Sequence, residues 1–160
     1  MPTVIAGDDR AKVKVERPEG WFFAHKCVPT LRVPRELFGI SNRPITPVPD
    51  ALEQPRPMIA TLDAGAMFLW CYYQRPGDPD PGNFDPTPDY SRYTLPLEYR
   101  LSETFPAFDA REWRPNDFLW RRIGFHAAGV TVSVFIWEGT AARAADVKTA
   151  EQILATVAPA

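Results

Sequence analysis

The chain lacks the features that mark nucleic-acid-binding and membrane-spanning proteins. Charged residues make up 24% of its 160 residues, the net charge is −2 and no basic run occurs, whereas a nucleic-acid-binding domain usually carries a basic stripe. The longest apolar run, residues 66–73, is well short of the roughly 20 residues that a membrane-spanning helix needs. These absences predict a protein with no nucleic-acid partner and no membrane partner.

Residues 1–16 lack the apolar core of about 7–15 residues that a secretory signal contains. We therefore expect a cytoplasmic protein. Cysteine is also scarce, because Cys27 and Cys71 are the only two. Two buried, reduced thiols are the expected state in the cytosol, and one disulfide between them is the alternative in an oxidising compartment.

The sequence contains none of the common cofactor or catalytic motifs: a Walker A loop, a GxGxxG turn, a GxSxG elbow and an HExxH helix are all absent. His25 and Cys27 would share a face of a strand, so a thiolate–imidazole pair with His126 or Cys71 nearby is one hypothesis. A tetrahedral zinc site is another, but these residues do not have the usual ligand spacing. We favour ordinary thiols and histidines, and predict no catalytic residue, no cofactor and no metal.

Residues 78–85 resemble a calcium-binding loop, because oxygen-bearing side chains recur there at short intervals. The EF-hand order is not met, since Gly82 precedes Asn83, whereas an acid or amide should precede the glycine. No glutamate closes the loop at the twelfth position. A solvated loop is the favoured interpretation.

Proline is the abundant residue, with 18 in 160 against an average of about 5%. Since proline is excluded from helix interiors and central strands, this content excludes a helical bundle. The prolines concentrate in residues 29–57 and 76–88 and are absent from 58–74, 117–139 and 140–158. The first two segments are predicted to be long connections, and the other three to hold the main sheet and the helix.

Local patterns predict the individual elements. Residues 11–16 alternate between apolar and charged side chains and residues 21–24 are largely aromatic, so both are predicted strands. Residues 34–39 begin with proline and end with glycine, which predicts a short helix. Residues 57–64 and 66–74 are predicted to form either a pair of strands or one bent strand broken at Gly65. Residues 66–73 are apolar on both faces, which predicts a central strand.

The C-terminal third is predicted to be a hairpin followed by a helix. Residues 117–126 and 129–138 would pair through a loop at 127–128. One face of this hairpin is aliphatic except for Arg121, which must reach a sheet edge or a carboxylate. The helix over 142–158 is expected to pack on that face through one apolar stripe, formed by Val147, Ala150, Ile153, Leu154 and Val157.

The opposite face of the hairpin is aromatic, with polar groups at one end. Cross-strand aromatic pairs contribute roughly 0.2–1 kcal/mol each, so stability alone would explain a covered layer. An open face would instead hold a planar ligand, a peptide or another subunit. Large apolar patches are uncommon on monomers, which favours the covered layer. The candidate binding residues of this face are Trp120, Arg122, His126, Phe135 and Trp137.

Together these elements predict an α+β fold in a single domain over residues 1–160. It consists of an antiparallel, twisted β-sheet of five to seven strands, with a C-terminal helix packed on one face and long proline-rich loops. The sequence has no internal repeat that would suggest a second domain.

A resemblance supports this fold class. Residues 131–139 (TVSVFIWEG), 150–157 (AEQILATV), 29–38 (PTLRVPRELF) and 41–44 (SNRP) are similar to segments of small uncharacterised actinobacterial proteins. Those proteins have a PsbP/Mog1-like α/β sandwich. The resemblance covers most of residues 18–157 and implies that fold, without a catalytic signature.

The predicted function is a non-catalytic accessory or binding module that engages a protein partner, or a second copy of itself, through the aromatic face and the proline-rich loops. Residues 1–49 hold five acids and eight bases, but residues 50–108 hold nine acids and four bases, which favours self-association or a charged partner. The alternative is a small enzyme or a small-molecule-binding pocket between the sheet and the 29–57 connection. Its polar groups would be Cys27, His25, His126 and Arg122.

Overall fold

The computed structural model of the chain describes residues 1–29, 35–48, 55–78, 90–91, 94–98 and 118–160. Within these residues the chain forms two antiparallel sheets of five and three strands and a C-terminal helix, which confirms the α+β class. The elements in chain order are β1 (Thr3–Gly7), β2 (Lys12–Glu16), β3 (Phe22–Ala24), β4 (Arg35–Ser41), α1 (Arg56–Ile59), β5 (Met67–Gln74), β6 (Phe118–Ala127), β7 (Val130–Gly139), α2 (Ala144–Thr156) and β8 (Ala158–Pro159).

The main sheet has the strand order β3-β4-β5-β7-β6. All eight residues of β5, the central strand, are buried, which confirms the prediction made from its apolar character on both faces. An aliphatic core lies on one face of this sheet and an aromatic layer on the other. The position of β5 therefore determines where both cores lie.

The small sheet and α2 cover the aliphatic core. In β2 the predicted alternation holds, with Val13 and Val15 buried. The short strands β1 and β8 pair with its two edges and were not predicted. From α2 the residues of the predicted stripe enter the same core: Ala150, Ile153, Leu154 and Val157 are buried there and Val147 packs against them.

Two local predictions are wrong. Residues 35–39 belong to β4, not to a helix, because pairing with β5 and burial of Leu37, Phe38 and Ile40 outweigh the local helix signal. The predicted strand at 57–64 is also absent, since α1 begins there instead. Pro57 lies in the first turn of α1, where its missing N–H removes no helix hydrogen bond.

The hairpin turns at Ala128 and Gly129, one position later than predicted. Both residues have positive φ, 47° and 79°, as a tight turn between twisted strands requires, and glycine adopts such values without strain. Trp120 consequently pairs with Trp137 rather than with Phe135. Because the pairing is offset by two residues, both faces of the hairpin keep their predicted members.

Arg121 meets the expectation made for it, since its Nη1 donates to Glu138 at 2.7 Å.

The predicted proline-rich connections are described only in part. Residues 30–34, 49–54 and 79–89 lie outside the described residues.

Asp146, in the first turn of α2, provides a test of how this helix is fixed. Arg143 donates to both of its carboxylate oxygens, at 2.8 and 3.1 Å. These hydrogen bonds hold the pKa of Asp146 below its ordinary value. The pKa of Asp146 is therefore lower in the folded state than in the unfolded state. Its contribution to stability is fully present above the unfolded-state pKa and is lost as the pH falls through the folded-state pKa.

We therefore expect Asp146→Asn to lower the free energy of unfolding by about 1 kcal/mol at pH 7. In urea titrations, the difference from the wild type should shrink as the pH falls below about 4. Glu151→Gln, an exposed site on the same helix, is the matched control and should change little. An equal loss in both variants, or a loss independent of pH, would contradict the assignment.

Candidate functional site

The predicted aromatic residues form a covered layer. Phe118, Trp120, Phe135 and Trp137 join Phe68, Trp70 and Tyr72 of β5 in one cluster, and each of these side chains is buried. The cluster also contains Cys27, Val28 and residues of the α1 region, namely Met58, Ile59 and Leu62. The aromatic face thus has the role of a second core. Its part in binding stays a prediction.

Arg122 and His126, the polar members of the predicted site, lie at one end of this layer. The guanidinium of Arg122 is buried 5.5 Å from the ring centre of Phe135, and its Nη1 donates to the Tyr72 hydroxyl at 3.3 Å. His126 binds the backbone N–H of Tyr90 through Nε2 and contacts the Thr131 hydroxyl through Nδ1, both at 3.0 Å. Arg122 is therefore buried and bonded within the protein, whereas His126 is exposed and is held by two hydrogen bonds at the surface.

Cys27 and His25 do not form the hypothesised thiolate–imidazole pair. Cys27 is fully buried in the aromatic layer, whereas His25 is exposed. Burial, with the Glu36 carboxylate beside it, raises the pKa of the Cys27 thiol, and burial alone raises that of Cys71. Cys71 belongs to the aliphatic core, and both cysteines are free, so the prediction of two buried thiols is confirmed.

Glu36 is a buried carboxylate that sequence reasoning missed. Its Oε2 accepts the backbone N–H of Cys27 at 2.8 Å and the indole N–H of Trp70 at 2.5 Å, while Oε1 accepts the N–H of Val28 at 3.0 Å. It therefore holds the segment that covers the aromatic layer. An acid within the apolar run of β4 was the available signal, but the segment was predicted as a short helix and not as a strand.

Metal binding finds no support in the part of the chain that the structure describes. No three His, Cys, Asp or Glu side chains come together there as metal ligands. Of the calcium-like segment only Asp78 is described, and its Oδ2 accepts the backbone N–H of Arg75 at 2.9 Å. Residues 79–85 lie outside the described residues.

A cleft of about 300 Å³ opens where β1 ends beside the start of β4. We call it the cationic cleft, because His25, Lys26 and Arg35 line it together with Asp8. Three separate segments supply these residues: the end of β1, the chain after β3 and the first residue of β4. No local sequence pattern could have identified it.

Asp8 is bound on both of its carboxylate oxygens. Oδ2 accepts the Tyr73 hydroxyl at 2.7 Å, and Oδ1 accepts the backbone N–H groups of Arg10 and Ala11 at 2.8 and 3.2 Å. Burial and the bond to Asp8 raise the pKa of Tyr73, so its phenol stays protonated and continues to donate at neutral pH. The turn between β1 and β2 is thereby attached to the central strand.

The two strong cations of the cleft have no carboxylate partner among the described residues. Ion pairs in those ranges use Arg43, Arg121 and Arg143 as cations. Lys26 donates to the backbone carbonyl of Glu36 at 3.3 Å. The Glu36 carboxylate, although Glu36 also lines the cleft, is bound to Trp70 and the 27–28 backbone. Donors without an anionic partner thus converge on one cavity.

Comparison with known proteins identifies no relative. No protein family, no curated protein and no solved structure matches the chain. The resemblance to a PsbP/Mog1-like sandwich therefore stays a prediction. Across the described ranges, no helix combines the length and apolar character needed to cross a membrane.

The His126 network predicts one ring tautomer. A backbone N–H can only donate, so Nε2 must carry the lone pair and Nδ1 the proton, which is then donated to Thr131. Nitrogen-15 NMR at pH 8 should show the Nδ1–H form for His126, with the exposed His25 as a reference signal. Thr131→Val should leave that tautomer unchanged, because the Tyr90 N–H remains. An Nε2–H form in the wild type would contradict the network.

The space around Cys27 predicts a coupled pair of substitutions. A Cβ added at Gly39 would overlap the Cys27 Sγ and approach the Phe68 ring to 3.0 Å. We expect Gly39→Ala to lower the free energy of unfolding by about 1–3 kcal/mol. Adding Cys27→Ala should recover part of that loss, because the overlapping sulfur is removed. A double-mutant cycle measured in urea tests this, and strictly additive effects would contradict the assigned contact.

Proposed function

We propose that the protein is a non-catalytic binding module that engages a carboxylate group of a protein partner at the cationic cleft. The observation that carries this proposal is the convergence of Lys26 and Arg35 on one cavity without a carboxylate partner in the described part of the chain. His25 adds a further nitrogen at the same rim. Lys26 is exposed and Arg35 is half-buried, and cations without a carboxylate partner that are grouped in a concave site are suited to capture an anion.

The chemistry of the cleft favours a carboxylate. A guanidinium binds a carboxylate through two parallel hydrogen bonds, and an ammonium adds a point charge with three donors. Asp8 and Glu36 line the same cleft, so the two cations are balanced in formal charge by two acids whose oxygens already accept other hydrogen bonds. A singly charged carboxylate fits this balance better than a doubly charged phosphate, which would leave more charge uncompensated.

The alternative, a small enzyme or small-molecule pocket built on Cys27, His25, His126 and Arg122, has less support. Cys27 and Arg122 are buried in the aromatic layer, while His25 lines the cationic cleft. A thiol whose pKa is raised is mostly protonated at neutral pH and is a poor nucleophile. Reduced, buried thiols also support the proposal that the protein is cytoplasmic.

The function predicted from the sequence, in which the aromatic face contacts the partner, is revised here. A partner could reach Trp120 or Trp137 only if the segments that cover them moved, because both side chains are buried. We propose that the aromatic layer instead gives the sheet the rigidity that the cleft needs. Self-association stays within the proposal, since a carboxylate of a second copy would be an eligible partner.

The test is an immobilised array of peptides, each with a single glutamate in varied flanking sequence, beside counterparts in which glutamine replaces it. We expect the protein to be retained by a subset of glutamate peptides and not by their glutamine counterparts. The double variant Lys26→Glu/Arg35→Glu should lose this retention, because the cavity then repels carboxylates.

The control double variant is Lys14→Glu/Lys148→Glu, which makes the same change in net charge at two exposed lysines outside the cleft. It should keep most of the retention. Retention that is equal for glutamate and glutamine peptides, or lost equally in both double variants, would refute the proposed site.

A further inference from the structure

The strand β1 is an edge of the small sheet. It pairs with β2 on one side, and among the described residues no strand pairs with its other side. At one end of this pair the backbone N–H of Arg17 donates to the carbonyl of Pro2 at 2.9 Å. At the other end the N–H of Asp8 donates to the carbonyl of Ala11, also at 2.9 Å.

These two bonds show which backbone groups of β1 face outwards. Hydrogen-bonded positions alternate along an antiparallel pair, so the even-numbered residues of β1 face β2 and the odd-numbered residues face away from it. The outward-facing residues are therefore Thr3, Ile5 and Gly7, and all three are exposed. Each offers one donor and one acceptor to a further strand.

The edge lacks the protection that edge strands usually have. Natural proteins blunt such edges with charged side chains, with proline or with very short strands. At the other edge of the small sheet, β8 has only two residues and ends at Pro159. In contrast, β1 has five residues with no charge and no proline, and the side chain of Ile5 at its centre is 61% exposed. Such an edge is suited to accept a strand.

We propose that a second copy of this chain occupies the edge, so that the two β1 strands pair antiparallel about a two-fold axis at Ile5. Ile5 is the middle one of the three outward-facing residues, so the axis places the two Ile5 residues opposite each other as a hydrogen-bonded pair. Thr3 of each copy then lies opposite Gly7 of the other. The two small sheets become one continuous sheet. This interface goes beyond the function proposed above and does not rest on the carboxylate site.

Charge on β2 favours this orientation. Glu16 lies beside Thr3, and Lys12 lies beside Gly7, so each outer row of the joined sheet runs from Glu16 of one copy to Lys12 of the other. A parallel, in-register pair would instead end these rows in like charges, which repel. The middle row has Lys14 at both ends in either orientation. With about 4.8 Å between strands, the row ends are roughly 14 Å apart at the backbone, so their charges select the orientation without forming a direct ion pair.

The first test is analytical ultracentrifugation of the full chain without an N-terminal tag, because β1 begins at Thr3. Concentrations from about 1 µM to about 1 mM are needed, since so small an interface is weak. We expect the mass to rise from that of one chain towards that of two. Ile5→Lys should raise the dissociation constant about tenfold or more, because it places like charges opposite each other at the axis. Phe22→Lys, the control at an exposed site of β3, should leave it unchanged.

The second test traps the orientation with cysteine. Cys27 and Cys71 are buried, so a cysteine introduced at the edge is the accessible thiol under mild oxidation. Ile5→Cys should form a disulfide-linked dimer on non-reducing gels, because directly opposed residues lie within disulfide distance. Thr3→Cys should not, because antiparallel pairing separates the two introduced residues by about 13 Å along the strands.

Three outcomes would overturn the proposal. The first is the mass of a single chain at every concentration. The second is equal crosslinking of Thr3→Cys and Ile5→Cys, which would exclude the antiparallel register. The third is self-association that survives Ile5→Lys but is lost in Lys26→Glu/Arg35→Glu, which would assign it to the cationic cleft. If circular dichroism shows that Ile5→Lys does not fold, the crosslinking pair decides. Failure of the peptide arrays to show a glutamate preference would leave this interface standing.

Discussion

Burial of β5 on both of its faces is the constraint on which the rest of the structure depends. A strand without a solvent-facing side needs cover above and below, so the small sheet and α2 lie over its aliphatic face while residues 27–28 and the α1 region lie over its aromatic face. Each cover is held by a polar contact to the main sheet. Tyr73 binds Asp8 on one side, and Glu36 binds the backbone at 27–28 on the other.

Patterns within a single element were readable from the sequence. The two faces of the β6–β7 hairpin, the central position of β5 and the buried stripe of α2 all follow from the period of their apolar residues. The exact turn was missed because its position depends on which residues adopt positive φ, and Gly129 adopts it without strain. The β4 segment was misread because local proline and glycine signals carry no information about a partner strand more than thirty residues away.

The candidate sites were beyond local patterns for a related reason. Asp8, His25 and Arg35 become neighbours only after β1, β3 and β4 are in place, and nothing in their spacing indicates a common cavity. The aromatic face, by contrast, was conspicuous in the sequence and proved to be interior. Side chains that stabilise a fold often give stronger periodic signals than those that bind a ligand, because burial imposes a regular spacing and ligand binding does not.

The hydrogen bond between Tyr73 and Asp8 has a consequence for the entropy of binding. It anchors the β1–β2 turn to the most buried strand, and Asp8 of that turn lines the cationic cleft. A wall already immobile in the unbound protein loses little conformational freedom when it is contacted, so more of the interaction energy appears as affinity. The central strand thus provides rigidity at the rim of the cleft through the buried side chain of Tyr73.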